Sequence, residues 1–132
     1  AAHLTIERDE LLARVRVPAP AAGAACRYHK ARVRGAMDFP LAAVAVALAS
    51  KDGRVASLRV GVSGTNSHPL LLAGTDALAG EVVDEALVTR VGKLVQKQVS
   101  PMRSTVTPSN YRRQVAAALV QRLLRELAQA GT

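Results

Sequence analysis

Within "CRYHKARVRGAMDFPLAAVAVAL", residues 26–48, Arg27, His29, Lys30, Arg32 and Arg34 surround Tyr28 and precede Asp38. A flat phenol ring beside ammonium and guanidinium groups suits a planar, anionic ligand, since the ring stacks and the cations meet the charge. Asp38 stands just before the apolar run. There a carboxylate can accept from N–H or O–H groups of the same ligand. If extended, the segment puts Tyr28, Lys30, Arg32 and Arg34 on one side and Arg27, His29, Ala31 and Val33 on the other. Composition alone favours a plainer reading, a solvated edge strand whose arginines deter edge-to-edge pairing.

Other reactive groups form no set. No serine or histidine is placed as a nucleophile beside a base, and the apolar segments carry no paired carboxylates. "GVSGTNS", residues 61–67, lacks the lysine and the following helix of a phosphate loop. Cys26 is the one cysteine, so no disulfide forms within the chain, and with His3, His29 and His68 it gives no metal-ligand spacing. The chain is therefore not expected to be catalytic alone, and no catalytic or metal-ligating residue is assigned.

The 132 residues make one ordinary domain, and 18 Lys and Arg against 10 Asp and Glu leave a net charge of +8. Such a balance points to nucleic acid, an acidic partner or an anionic cofactor. Nucleic acid is disfavoured: the basic residues spread along the whole chain, and two Tyr, one Phe and no Trp make no stacking platform. A basic module docking an acidic partner subunit stays beside the anionic-ligand reading. Leu41 to Ser50, the most apolar run, is far too short to span a membrane. The start lacks a basic region followed by an apolar one, and a cytoplasmic location is expected.

These side chains need elements to hold them. "LLARVRVP", residues 11–18, alternates, which predicts a short strand at Val15 and Val17 ended by Pro18. Residues 18–25, "PAPAAGAA", form an irregular connector, and "MDFP" turns the chain because Pro40 biases Phe39 away from the helical region. "LAAVAVALAS" is ambiguous by length and alanine content. The following Asp52-Gly53 resolves it, predicting a hairpin of strands 42–49 and 54–62 with Leu58, Val60 and Val62 on one face. A loop at 63–69 and a short strand within 70–74 follow. "TDALAG", residues 75–80, reads as one helical turn. Apolar residues at Val83, Leu87, Val91 and Leu94 or Val95 predict a helix from Val82 to about Lys97. After a loop, Thr107-Pro108 opens a last helix over 109–128. Its stripe is Val115, Leu119, Leu123 and Leu127, with Arg112, Arg113, Arg122, Arg125 and Glu126 facing out. Strands followed by helices predict an α+β fold, an antiparallel sheet of three or four strands with three helices packed on one face as a two-layer sandwich.

"YHKARVRGAMDFPLAAVAVAL", "DGRVASLRVGVSGTNSHPLLL" and "SPMRSTVTPSNYRR" together carry a resemblance. The chain resembles the C-terminal domain of the FAD-binding subunit of molybdenum hydroxylases, the carbon monoxide dehydrogenase and xanthine dehydrogenase family. "RGAMDFPLA" and "GTNSHPL" are most similar to the 4-hydroxybenzoyl-CoA reductase β-subunit type. The likeness covers roughly residues 10–128. It implies the same α+β sandwich and a role in passing electrons through FAD between iron–sulfur centres and an external carrier. Residues 11–132 then correspond to the C-terminal domain, and 1–10 to a linker or the tail of a preceding FAD-binding domain.

By the same resemblance, four residues bind the cofactor. Tyr28 stacks on the flavin ring or gates access to it, Lys30 is a polar flavin contact, and Arg34 and Asp38 face the flavin and the electron-exchange opening. His29 is less clearly matched. Tyr111, Arg112 and Arg113 correspond to a helix-anchoring triplet, with subunit docking as the alternative. The Gly-rich FAD loops of the family are not in this sequence. FAD would be shared with the N-terminal domains of the same subunit and bind weakly or not at all to this chain alone. Iron–sulfur and molybdopterin subunits are the implied partners.

Overall fold

Asp52 and Gly53 both adopt positive φ, 52° and 71°, and reverse the chain between its two longest strands. That is the backbone of a tight hairpin turn whose twist suits the flanking strands. The computed structural model describes residues 5–20, 23–35, 37–105 and 107–130. Four strands form one antiparallel sheet in sequence order: β1 (Ala24–Ala31), β2 (Ala42–Lys51), β3 (Arg54–Ser63) and β4 (Leu70–Leu71). Two α-helices follow, α1 (Glu85–Gln98) and α2 (Ser109–Ala130). The predicted α+β order holds, but the described residues form two α-helices rather than three. "TDALAG" makes only a single 3₁₀ turn at Asp76–Leu78 that seats Leu78 in the core.

β2 explains how an alanine-rich run becomes a strand. Ala42, Val44, Val46 and Leu48 alternate with smaller residues and point to one face, joined there by Leu58, Val60 and Val62 of β3. α2 lies across β2 and β1, and α1 packs beside α2. Leu87, Val91 and Val95 of α1 join Ala116, Val120, Leu123, Leu124 and Leu127 of α2 in the same core. Full burial of each such Val or Leu contributes about 1.5–3 kcal/mol. Asp84 starts α1, its Oδ1 accepting from the Leu87 amide at 2.8 Å. At Gly92 the helices come close enough that a Cβ would collide with the amide of Gln121.

Among the described residues, no helix packs on the other face of the sheet. It shows Ala43, Ala45 and Ala47 of β2 beside Gly61 and Ser63 of β3. Residues 11–20 are irregular and exposed, so the expected strand at Val15 and Val17 is absent. A strand needs a partner for its N–H and C=O groups, and residues 11–20 pair with no strand among the described residues. Arg112 and Arg113 do not face out as expected. Both are half-buried, and their guanidinium groups turn back onto loop carbonyls.

Three loops meet at one end of the sheet. Asn66 ties the β3–β4 loop to the end of α1, with Oδ1 accepting from the Ser100 amide at 3.0 Å and Nδ2 donating to the Gln98 carbonyl at 3.3 Å. The Gln98 amide in turn exchanges two 2.9 Å hydrogen bonds with the backbone of Ala73.

Candidate functional site

The register of β1 on β2 decides where the basic segment points. Tyr28 lies opposite Ala45 and Lys30 opposite Ala43, so both project from the open face. Arg27 and His29 lie opposite Val46 and Val44, on the helix side. Both remain exposed because β1 is an edge strand. The Tyr28 side of the open face has a floor with little side-chain bulk. A hollow of about 200 Å³ there is lined by Tyr28, Ala43, Ala45, Gly61 and Leu70. Tyr28 is 62% exposed, so its ring is available to a partner from outside the chain. Cys26 shares this face, opposite Ala47, and is exposed.

The β1–β2 loop is closed at its base by the Leu41 amide donating to the Ala31 carbonyl at 2.8 Å. Inside it, Asp38 organises the turn. Its Oδ2 accepts from the Arg34 amide at 2.9 Å and the Val33 amide at 3.2 Å, while Oδ1 accepts from Arg34 Nη2 at 3.2 Å. The Arg34 amide and guanidinium stabilise the carboxylate, assisted by the Val33 amide, and hold the Asp38 carboxyl below its ordinary value. The Asp38 side chain is 13% exposed and that of Arg34 74%. The pair therefore lies with the carboxylate turned inward and the guanidinium toward solvent.

Two cavities adjoin this loop. One of about 340 Å³ is lined by Lys30, Met37, Asp38, Phe39 and Pro40. Another of about 410 Å³ has Arg34, Asp38 and Phe39 on one side and Ser104, Thr107 and Arg112 on the other. Of the four residues assigned from sequence, Arg34 and Asp38 form an ion pair, Lys30 and Asp38 share a cavity, and Tyr28 and Lys30 share a sheet face. Tyr28 and Asp38 line none of these cavities together. Lys30 is the residue common to both groups.

Met37 and Phe39, not marked by the motif that carries Tyr28 and Asp38, are 98% and 92% exposed. Large apolar side chains flanking an aspartate and preceding a proline were the available signal. Ser104 and Thr107, equally unmarked in the sequence, hydrogen-bond each other through their side chains at 3.0 Å in the α1–α2 loop. Among the described residues no three His, Cys, Asp or Glu side chains gather as a metal site, and His3 lies outside those residues. No helix among them is long and apolar enough to cross a membrane.

Comparison with known proteins agrees with this architecture. The glyceraldehyde dehydrogenase medium chain of Sulfolobus acidocaldarius is 27% identical over 122 residues, which are 92% of this chain and 43% of that protein. Among solved structures, reconstituted CO dehydrogenase from Oligotropha carboxidovorans superposes with a TM-score of 0.79 at 25% identity, covering 88% of this chain and 40% of that one. Quinoline 2-oxidoreductase from Pseudomonas putida 86 shares the fold, with a TM-score of 0.78 at 22% identity over 87% of this chain and 40% of that one. This chain thus spans less than half the length of these relatives. Residues 27–127, which hold the sheet from Arg27 onward, α1 and α2 as far as Leu127, match the CO dehydrogenase flavoprotein C-terminal domain, and the chain belongs to that family.

Proposed function

We propose that this chain is the flavin-capping part of an FAD subunit in a molybdenum hydroxylase. Tyr28 lies against the isoalloxazine ring or gates access to it, and Lys30 contacts the ring's polar edge. The observation that carries this reading is an exposed tyrosine over a floor of Ala43, Ala45 and Gly61, with Lys30 two residues along on the same sheet face. A floor without bulky side chains admits a flat ring, and a cation beside it favours the anionic form of a flavin. The segments "RGAMDFPLA" and "GTNSHPL" support the 4-hydroxybenzoyl-CoA reductase type within the family.

Arg34 and Asp38 form the rim of the opening through which electrons are exchanged. Their opposite charges largely cancel at a distance, which leaves Lys30, among the described residues, as an unpaired cation on the Tyr28 face. When bound, FAD supplies a carrier that links a two-electron reaction to one-electron iron–sulfur centres. The chain has no Gly-rich strand-to-helix loop for the pyrophosphate, so that part of FAD is held by the N-terminal domains of the same subunit. The remaining partners are iron–sulfur and molybdopterin subunits of a cytoplasmic complex.

Tyr28→Ala in the complete flavin subunit tests the reading. The expected result is a changed rate of flavin reduction and of reoxidation by external electron carriers, with FAD still bound. Unchanged rates in both directions reject the role of Tyr28.

A further inference from the structure

The Tyr111-Arg112-Arg113 triplet does more than begin a helix. A guanidinium has five N–H donors in a rigid plane, and Arg112 spends four of them on main-chain carbonyls. Nε donates to Leu41 at 3.1 Å, Nη1 to Met102 at 3.1 Å, and Nη2 to Pro40 at 3.5 Å and to Gly64. These carbonyls come from the β1–β2 loop, the β3–β4 loop and the α1–α2 loop. No carboxylate pairs with Arg112 among the ion pairs of the described residues, so its charge is directed at the backbone.

The same junction is tight. A Cβ placed at Gly64 would lie 2.6 Å from Cγ of Pro40. Pro40 is two residues from Asp38, whose carboxylate holds the Val33 and Arg34 amides. Arg112 and Asp38 also line the same 410 Å³ cavity, whose walls are the β1–β2 and α1–α2 loops. One side chain therefore ties together the loops that surround the proposed flavin edge.

We propose that Arg112 is a positioning residue for that edge. By gripping Pro40 and Leu41 against Gly64 and Met102, it sets where Val33, Arg34 and residues 37–41 stand relative to Lys30 and Tyr28. It thereby sets how the rim meets the ring. This inference rests on the flavin-capping reading above. Lysine cannot replace the arginine, because an ammonium on a flexible stem does not reproduce a planar fork aimed at several acceptors.

The test uses the complete flavin subunit with FAD bound. Arg112→Lys is compared with Arg125→Gln, which cuts the Arg125–Glu85 pair between the two helices, away from the loops. Thermal midpoint, flavin reoxidation rate and hydrogen exchange at the Val33 and Arg34 amides are measured for each. Arg112→Lys should speed exchange at those two amides about tenfold, the equivalent of roughly 1.4 kcal/mol, and change the reoxidation rate. Arg125→Gln should change neither, even where its thermal midpoint falls as far.

The proposal is overturned if Arg112→Lys leaves exchange and reoxidation unaltered, or if Arg125→Gln alters both to the same extent. If Arg112→Lys does not fold, Gly64→Ala displaces Pro40 from the opposite side and must give the same two changes. Tyr28→Ala separates the two levels. If it alters reoxidation and Arg112→Lys does not, only the positioning role falls. If Tyr28→Ala has no effect on the flavin, the seat falls and the positioning role with it.

Discussion

Replacing Gly64 with alanine adds one methyl group at the point where the β3–β4 loop presses on the proposed flavin rim. Two costs add. Gly64 has φ +78°, a conformation that L-residues adopt at about 1–2 kcal/mol. The new Cβ also meets Pro40 Cγ at 2.6 Å and Cβ at 3.2 Å, and proline cannot swing a side chain away. Overpacking of this kind costs about 1–3 kcal/mol, for a combined loss of roughly 2–5 kcal/mol. Gly74→Ala separates the terms. Its φ is +84°, but a Cβ there meets nothing within 4 Å, so only the backbone cost of about 1–2 kcal/mol applies. Urea unfolding with unchanged m-values reads both losses. Gly64→Ala should be the worse by at least about 1 kcal/mol, the overpacking share. Equal losses would show that Pro40 yields freely, and that the β1–β2 loop is not braced at this junction.

The remaining predictions concern acid and the core. Because the folded-state value of Asp38 is lowered, its contribution is complete above the ordinary aspartate value of about 3.9 and is lost as the pH falls through the folded value. Asp38→Asn should therefore flatten the acid limb of a stability–pH curve below about pH 4, and an unaltered limb would count against the turn geometry. Glu85, lowered by the Arg125 guanidinium, has the same sign, so Glu85→Gln should remove a second part of that limb and make the remainder less sensitive to salt. Leu124 is fully buried between α2 and the sheet, and Leu124→Ala should cost about 2–5 kcal/mol by urea unfolding. Leu71→Ala, at the exposed end of the sheet, should stay within about 0.5 kcal/mol.

What could be read from the chain is what local physics controls. Asp52-Gly53 specifies a hairpin turn because few other pairs accept positive φ twice. The Leu87, Val91 and Val95 spacing specifies a buried helix stripe, and Thr107-Pro108 the start of α2. Strands before helices follow from these in turn. Alternation at Val15 and Val17 misled, because period two records which faces a strand would have and not whether an edge exists to pair with it.

The site lies at the other extreme. Extended geometry alone sets Tyr28 and Lys30 on a common side. That this is the open side depends on which residues of β2 they oppose, and thus on pairing across the sheet. That the Asp38 carboxylate accepts from the Val33 and Arg34 amides depends on how the loop folds back on itself. Arg112 looked solvent-facing by helical spacing, yet it grips carbonyls 48, 71 and 72 positions away along the chain. Periodicity describes one element at a time, whereas a guanidinium finds its acceptors wherever packing has brought backbone together.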